Sequence, residues 1–132
     1  MIKEIGINSR ARVEMINLTV KIEEMVAGAG FEQGTVIIYT PHTTAALTIN
    51  ESADPDVQKD LINKINKVIP FDDQYRHFEG NSAAHIKSSL IGASEHVIIN
   101  QGKPLLGRWQ AIYFCEFDGP RKRKVYVKML QG

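Results

Sequence analysis

Histidine and acidic side chains are concentrated in two short stretches of this chain. His42 follows Pro41 at the end of a predicted strand, and His77 and His85 lie eight residues apart with Glu79 between them. Histidines from separate elements can hold a metal ion such as zinc when carboxylates orient their rings. The spacing matches no known two-residue or three-residue ligand step, so solvated loop histidines are an equally good explanation.

A predicted strand at 109–117 carries two polar side chains on a partly apolar face. Alternation places Gln110, Ile112, Phe114 and Glu116 on the same side. A carboxylate on such a face costs free energy unless it is paired, bound to a ligand or used as an acid or base. Glu116 is therefore a candidate catalytic residue, with burial in a subunit contact as the competing explanation.

Two cationic side chains are candidates for contact with a phosphate group. Lys87 follows His85 by two residues on a predicted short helix, and Arg121 ends a predicted turn at 118–121. A guanidinium can bind an anion through two hydrogen bonds, whereas a solvated lysine is the more common fate of a lone ammonium group. The run RKRK at 121–124 also fits a solvated strand edge that discourages aggregation, and this reading is favoured for 122–124.

The hydrophobic pattern predicts the elements that position these residues. Alternating and β-branched runs predict strands at 1–7, 12–15, 34–40, 45–50, 96–99, 109–117 and 125–130. Helical spacing predicts helices at 18–26 and 83–91, and Asp54 followed by Pro55 predicts the start of another that stops at Pro70. The prediction is one α+β domain over 1–132, a mixed, mostly antiparallel sheet with two or three helices packed on it.

Composition restricts the class of protein. The chain has 132 residues, 43% hydrophobic and 23% charged, as is usual for one globular domain. A formal net charge of +1 gives no long-range attraction to nucleic acid or an anionic membrane. The single cysteine, Cys115, favours a reducing compartment, and no apolar run approaches the roughly 20 residues that span a bilayer. We expect a cytoplasmic protein that binds neither nucleic acid nor membrane.

Three long stretches of the chain resemble the secondary thiamine-phosphate synthase family. They are HTTAALTINESADPDV at 42–57, YRHFEGNSAAHIKSSLIG at 75–92 and GRWQAIYFCEFDGPR at 107–121. The resemblance implies a homotrimeric α+β domain, a histidine-built site at or near a subunit interface, and weak thiamine-phosphate synthase activity. That reaction joins a pyrimidine diphosphate to a thiazole phosphate and releases pyrophosphate.

The resemblance also implies roles for individual residues. His42, His77 and His85 correspond to a metal-binding set, for which zinc is favoured because magnesium prefers oxygen ligands, although a diphosphate substrate would suit magnesium. The other assigned residues are Glu116, Gln110 and Glu79 as catalytic groups, and Lys87, Arg121 and Thr43 as substrate contacts.

Two classes of function stay open at this point. The first is a metal-dependent enzyme acting on a phosphorylated small molecule, either as the implied synthase or as a hydrolase in which Glu116 or Glu79 is the general base. The second is a trimeric ligand-binding or regulatory module in which the synthase activity is incidental.

Overall fold

A computed structural model describes residues 2–132, which form eight strands and three helices. The predicted strand at 1–7 begins at Met1, which lies outside the described residues. In chain order the elements are β1 Ile2–Asn8, β2 Glu14–Asn17, α1 Thr19–Gly28, β3 Gln33–Tyr39, β4 Ala45–Glu51, α2 Pro55–Val68, α3 Ser82–Ile91, β5 Ser94–Asn100, β6 Lys103–Pro104, β7 Gln110–Glu116 and β8 Lys122–Gln131.

The strands form two antiparallel sheets. The larger sheet has the order β1-β8-β3-β5-β6, and the smaller has the order β2-β7-β4. Every strand pair within residues 2–132 is antiparallel. The predicted α+β class, with antiparallel pairing and three helices, is confirmed. The division into two sheets was not predicted, because alternation identifies the faces of a strand but not its neighbours.

The smaller sheet lies in the middle of the molecule and is buried on both faces. On one face, Ile112 and Phe114 of β7 pack with Ile38 of the larger sheet and Ile22 of α1. On the other face lies a second cluster that includes Tyr113 of β7, together with residues of α2 and α3. The predicted alternation along β7 is confirmed, since its odd-numbered and even-numbered residues enter different clusters.

Helix α2 begins where the sequence predicts. The backbone N–H of Asp56 donates to Oδ1 of Asp54 at 2.9 Å, and Pro55 is the first helical residue. Although α2 is amphipathic, none of its residues is fully buried, so the helix packs only lightly on the smaller sheet. No helix formed by residues 2–132 is both long enough and apolar enough to cross a lipid bilayer.

Helix α3 follows the loop at 69–81. The residues just after α3 contact the end of β3 and the start of β4. Its last turn is followed by Gly92, whose φ of 113° is a conformation that favours glycine. The carbonyl of Gly92 accepts from the N–H of Leu47 at 3.1 Å, and that of Ala93 accepts from the N–H of Thr40 at 2.9 Å. These bonds hold α3, which carries His85, against the turn that carries His42.

Candidate functional site

Two open depressions on the protein surface meet at His85. One, of about 490 Å³, lies between the 69–81 loop and α3. The other, of about 550 Å³, lies between α3 and the turn that joins β3 to β4. Because His85 lines both, they form two lobes of one groove, which we call the histidine groove. Polar side chains that line the groove include Arg76, His77 and Ser82 in the first lobe, and His42, Thr43 and Ser89 in the second.

The rings of His77 and His85 lie edge to face in the first lobe. Their centroids are 5.7 Å apart and their planes are nearly perpendicular, at 87°. Nε2 of His77 lies 3.5 Å from Oε2 of Glu79, and both of these side chains are exposed. The structure therefore brings together three residues that the sequence singled out, although they belong to a loop and to the first turn of α3.

His42 in the second lobe has a fixed ring orientation. Its Nε2 accepts a hydrogen bond from the backbone N–H of Lys124 at 3.0 Å. Burial and the charge of Arg123 lower the pKa of His42 and outweigh the opposing effect of Glu116, so the ring is neutral at pH 7. A neutral ring whose Nε2 accepts carries its proton on Nδ1. His42 therefore retains one N–H donor for a ligand.

The predicted metal-binding function was wrong. Within residues 2–132, no group of three or more His, Cys, Asp or Glu side chains is arranged to hold a metal ion. His42 illustrates the reason, because the backbone of Lys124 already uses the lone pair that Nε2 would give to a metal. Whether a divalent cation, zinc or magnesium, serves as a cofactor elsewhere on the protein stays a prediction.

Glu116 forms a buried ion pair at the end of β7. Arg123 donates to both carboxylate oxygens, with Nε 2.9 Å from Oε1, while Oγ of Ser9 and the backbone N–H of Asp118 donate at 2.7 and 3.0 Å. Burial raises the pKa of the Glu116 carboxyl, but the donors together hold it below its usual value, so the group is ionised. These contacts give Glu116 a structural role, and its action as a general base stays a prediction.

Gln110 and Thr43 lie at different distances from the groove. Gln110 is at the opposite end of the seven-residue strand β7 from Glu116, and its Oε1 accepts from the N–H of Gly107 at 2.7 Å. The structure therefore does not bring Gln110 to the histidines. Thr43 is exposed in the second lobe beside His42. The roles assigned to both residues stay predictions.

Lys87 and Arg121, the predicted phosphate contacts, line neither lobe of the histidine groove. Lys87 is fully buried rather than solvated, and its Nζ lies 2.6 Å from Oδ1 of Asn66 on α2. Arg121 is bound within its own turn, with Nε 2.9 Å from the carbonyl oxygen of Asp118 and a second nitrogen 2.9 Å from Oδ2 of the same residue. Their role in substrate binding stays a prediction.

Sequence reasoning missed Arg123 and two residues of the groove. The 122–124 run was read as a solvated edge, whereas Arg123 is buried against Glu116. Alternation back from the buried Val125 places Arg123 on the inner face and was the signal available. For Arg76 and Ser82 the available signal was nearness in sequence, because Arg76 directly precedes His77 and Ser82 lies three residues before His85 on α3.

Comparison with known proteins gives one consistent family. The sequence model of a family described as UPF0047 protein YjbQ-like matches residues 3–132. UPF0047 protein YugU of Bacillus subtilis is 51% identical over 131 residues, which cover 98% of this chain and 99% of that protein. UPF0047 protein MJ1081 of Methanocaldococcus jannaschii is 48% identical over 98% of this chain and 94% of its own length.

Solved structures agree with these relatives. A crystal structure of an uncharacterised conserved protein of the YjbQ/UPF0047 family from Clostridium acetobutylicum superposes with a TM-score of 0.95 at 47% identity, covering 97% of this chain and 99% of that one. A hypothetical protein from Aeropyrum pernix superposes with a TM-score of 0.94 at 31% identity, covering 100% of this chain and 99% of that one.

These matches correct the family expected from the sequence. The family model and the relatives are described as UPF0047 proteins, and the structural neighbour from Clostridium acetobutylicum is described as uncharacterised. The assignment to the secondary thiamine-phosphate synthase family was wrong. The function built on it, a metal-dependent enzyme with implied synthase activity, was wrong with it.

Proposed function

Because the chain belongs to the YjbQ-like UPF0047 family, whose name specifies no reaction, we propose a function from the histidine groove itself. The proposal is that the groove binds the phosphate group of a small molecule directly and that its histidines exchange protons with that molecule. The observation that carries it is the pairing of His77 and His85, with ring centroids 5.7 Å apart in an open lobe.

The donors around this pair support a phosphate as the ligand. Arg76 and the hydroxyl of Ser82 line the lobe of His77, and Ser82 is the first residue of α3. The N-terminus of a helix presents free N–H groups and a partial positive charge, both of which favour an anion. In the second lobe, Thr43 and Ser89 add hydroxyl donors. A phosphate spanning the two lobes would meet donors on both sides of His85.

The three histidines suit different tasks in this proposal. His42 is neutral and its ring is fixed by Lys124, so it serves as a stationary N–H donor. His77 and His85 belong to an exposed loop and a helix end, where one ligand in the first lobe can reach both rings. Imidazole is the side chain best suited to proton exchange near neutral pH. The division of labour is between one fixed donor and two proton-exchanging groups.

Calorimetric titration with pyrophosphate in the presence of EDTA tests the proposal. We expect the wild-type protein to bind pyrophosphate and His85→Asn to lose at least tenfold in affinity, because His85 lines both lobes. His96→Asn is the matched control, since His96 lies on β5 and lines neither lobe. Equal affinity in His85→Asn and the wild type, or no binding by the wild type, would reject the proposal.

We further propose that the protein is a homotrimer in which the outer face of the larger sheet is covered. That face exposes several large apolar side chains of neighbouring strands, namely Ile2, Tyr39, Ile98 and Leu130. Ile98 and Leu130 both pair with Thr35 of β3, so they flank one position of the central strands. Several exposed large apolar side chains on one face of a sheet are typical of a protein contact.

We also propose a cytoplasmic location. It is supported by Cys115, the single cysteine of the chain, which is buried as a free thiol in the second core cluster. Burial raises the pKa of that thiol to about 12, so it is unreactive as a nucleophile at neutral pH.

A further inference from the structure

Two cations contact the same aromatic ring at the base of the 69–81 loop. Cζ of Arg12 lies 3.6 Å from the ring centre of Phe71, and Nζ of Lys87 lies 3.7 Å from it. Mutual repulsion of the two charges favours positions on opposite faces of the ring. Both are well within the roughly 6 Å over which a cation is attracted to an aromatic face.

Lys87 depends on the ring of Phe71 because few other groups near its ammonium can compensate the buried charge. The side chain is fully buried, and no ion pair within residues 2–132 includes it. Its partners are Oδ1 of Asn66 at 2.6 Å and the face of Phe71. A buried ammonium without a carboxylate needs such compensation. The same contacts tie α3, which carries Lys87, to α2 and to the start of the loop.

Arg12 joins the two ends of the loop. Its guanidinium stacks on Phe71 and donates a hydrogen bond to the carbonyl of Gly80 at 3.4 Å. The next residue, Asn81, donates from Nδ2 to Oδ2 of Asp118 at 3.0 Å. The segment 71–80 is therefore a loop with closed ends, of the size of a compact Ω-loop, and His77 lies in it.

We infer that Phe71, held between the cations of Arg12 and Lys87, is the positioning residue that keeps His77 beside His85. The loop has no helix or strand between 70 and 81, so contacts at its base determine where His77 lies. His85 needs no such help, because it belongs to α3. The biological meaning of this arrangement rests on the proposed function of the histidine groove, but the positioning itself does not.

Nuclear Overhauser effects between the ring protons of His77 and His85 test this inference in the full chain. We expect a clear cross-peak in the wild type and in Phe71→Trp, which keeps an aromatic face, and at least a threefold weaker one in Phe71→Leu. Site-specific incorporation of 3,4,5-trifluorophenylalanine at position 71 removes the negative ring face while keeping a similar shape. This variant should weaken the cross-peak as Phe71→Leu does.

Phe31→Leu is the matched control, because Phe31 packs against the core cluster that contains Ile112 and Phe114, and its loss should leave the cross-peak unchanged. A full-strength cross-peak in either Phe71→Leu or the trifluorinated protein would overturn the inference. Pyrophosphate binding, measured separately in the same proteins, distinguishes the two proposals. A wild type that shows the expected cross-peak pattern but binds no pyrophosphate would leave Phe71 as a positioning residue and reject the proposed function.

Discussion

At the scale of single residues, the pair formed by Glu116 and Arg123 connects the core to the histidine groove. Both side chains are buried, and a nitrogen of Arg123 also lies 2.8 Å from Oγ1 of Thr44. Burial is the main cause of the lowered pKa of His42; the charge of Arg123 lowers that pKa further, and the charge of Glu116 raises it by less. The ion pair therefore contributes to keeping the His42 ring neutral, although it has no direct contact with a ligand site.

Removing Arg123 alone should be strongly destabilising. In Arg123→Met the Glu116 carboxylate stays buried without its main partner, and breaking a buried pair in this way costs about 3–5 kcal/mol. The double variant Arg123→Met with Glu116→Met should recover most of that loss, because no charge is left unpaired. Urea unfolding measures both values. A free energy of unfolding of Arg123→Met within about 1 kcal/mol of the wild-type value would contradict this prediction.

Lys87 should make stability depend on pH in the alkaline range. Burial and the charge of Arg12 lower its pKa from 10.5 to about 8 in the folded protein. Between pH 8 and 10.5 the unfolded chain therefore binds a proton that the folded protein does not, and stability should rise with pH across that window. Lys87→Met lacks this titrating amine, so its stability should not show this rise with pH.

The measurement is the free energy of unfolding of wild type and Lys87→Met between pH 7 and 10.5. Subtracting the two curves removes the common contributions of Cys115 and Tyr113, whose raised pKa values act in the opposite direction. We expect the wild type to gain stability relative to Lys87→Met as pH rises above 8. A difference that is flat or falls with pH would show that folding does not lower the pKa of Lys87.

At the scale of elements, α2 depends on its first turn more than a well-buried helix would. None of its residues is fully buried, so the cap formed by Asp54 is a large part of what stabilises it. Asp54→Ala should lower the free energy of unfolding by about 1 kcal/mol. Asp72→Ala, at an exposed position of the 69–81 loop, is the control and should change it by less than about 0.5 kcal/mol. Equal losses in the two variants would reject the cap.

Local patterns predicted most elements because they depend on neighbouring residues alone. Asp54 and Pro55 specify a helix start, Gly92 ends α3, and alternation assigns the faces of β7. The pairing of β7 with β2 and β4 depends on residues distant in the chain, and no local pattern contains it. For the same reason the burial of Lys87 under Phe71 could not be predicted.

The candidate site was predicted only in part. The sequence singled out His77, Glu79 and His85; the structure places both histidines in the first lobe and Glu79 beside His77. The sequence suggested a metal site because it shows where histidines occur. It does not show which of their ring nitrogens already form hydrogen bonds within the protein. The hydrogen bond from Lys124 to Nε2 of His42 is a tertiary contact, and it changes the chemistry that His42 can perform.

At the scale of the whole molecule, the exposed apolar face of the larger sheet should mediate self-association. Sedimentation equilibrium should give three times the chain mass of 14.8 kDa for the wild type. Ile98→Lys should give monomers, because Ile98 is 59% exposed on that face and a buried lysine without a partner is costly. Leu90→Lys, at a more exposed position on α3, should leave the mass unchanged. A monomeric wild type would reject the trimer.

The histidine groove is proposed to bind phosphate directly through its rings. Nitrogen-15 spectra of the histidine side chains, recorded at pH 7 with EDTA while pyrophosphate is added, test it most directly. We predict that His42 carries its proton on Nδ1 from the start, and that the signals of His42, His77 and His85 shift together while those of His96 do not. Pyrophosphate that shifts none of these rings, or shifts His96 equally, would contradict the claim.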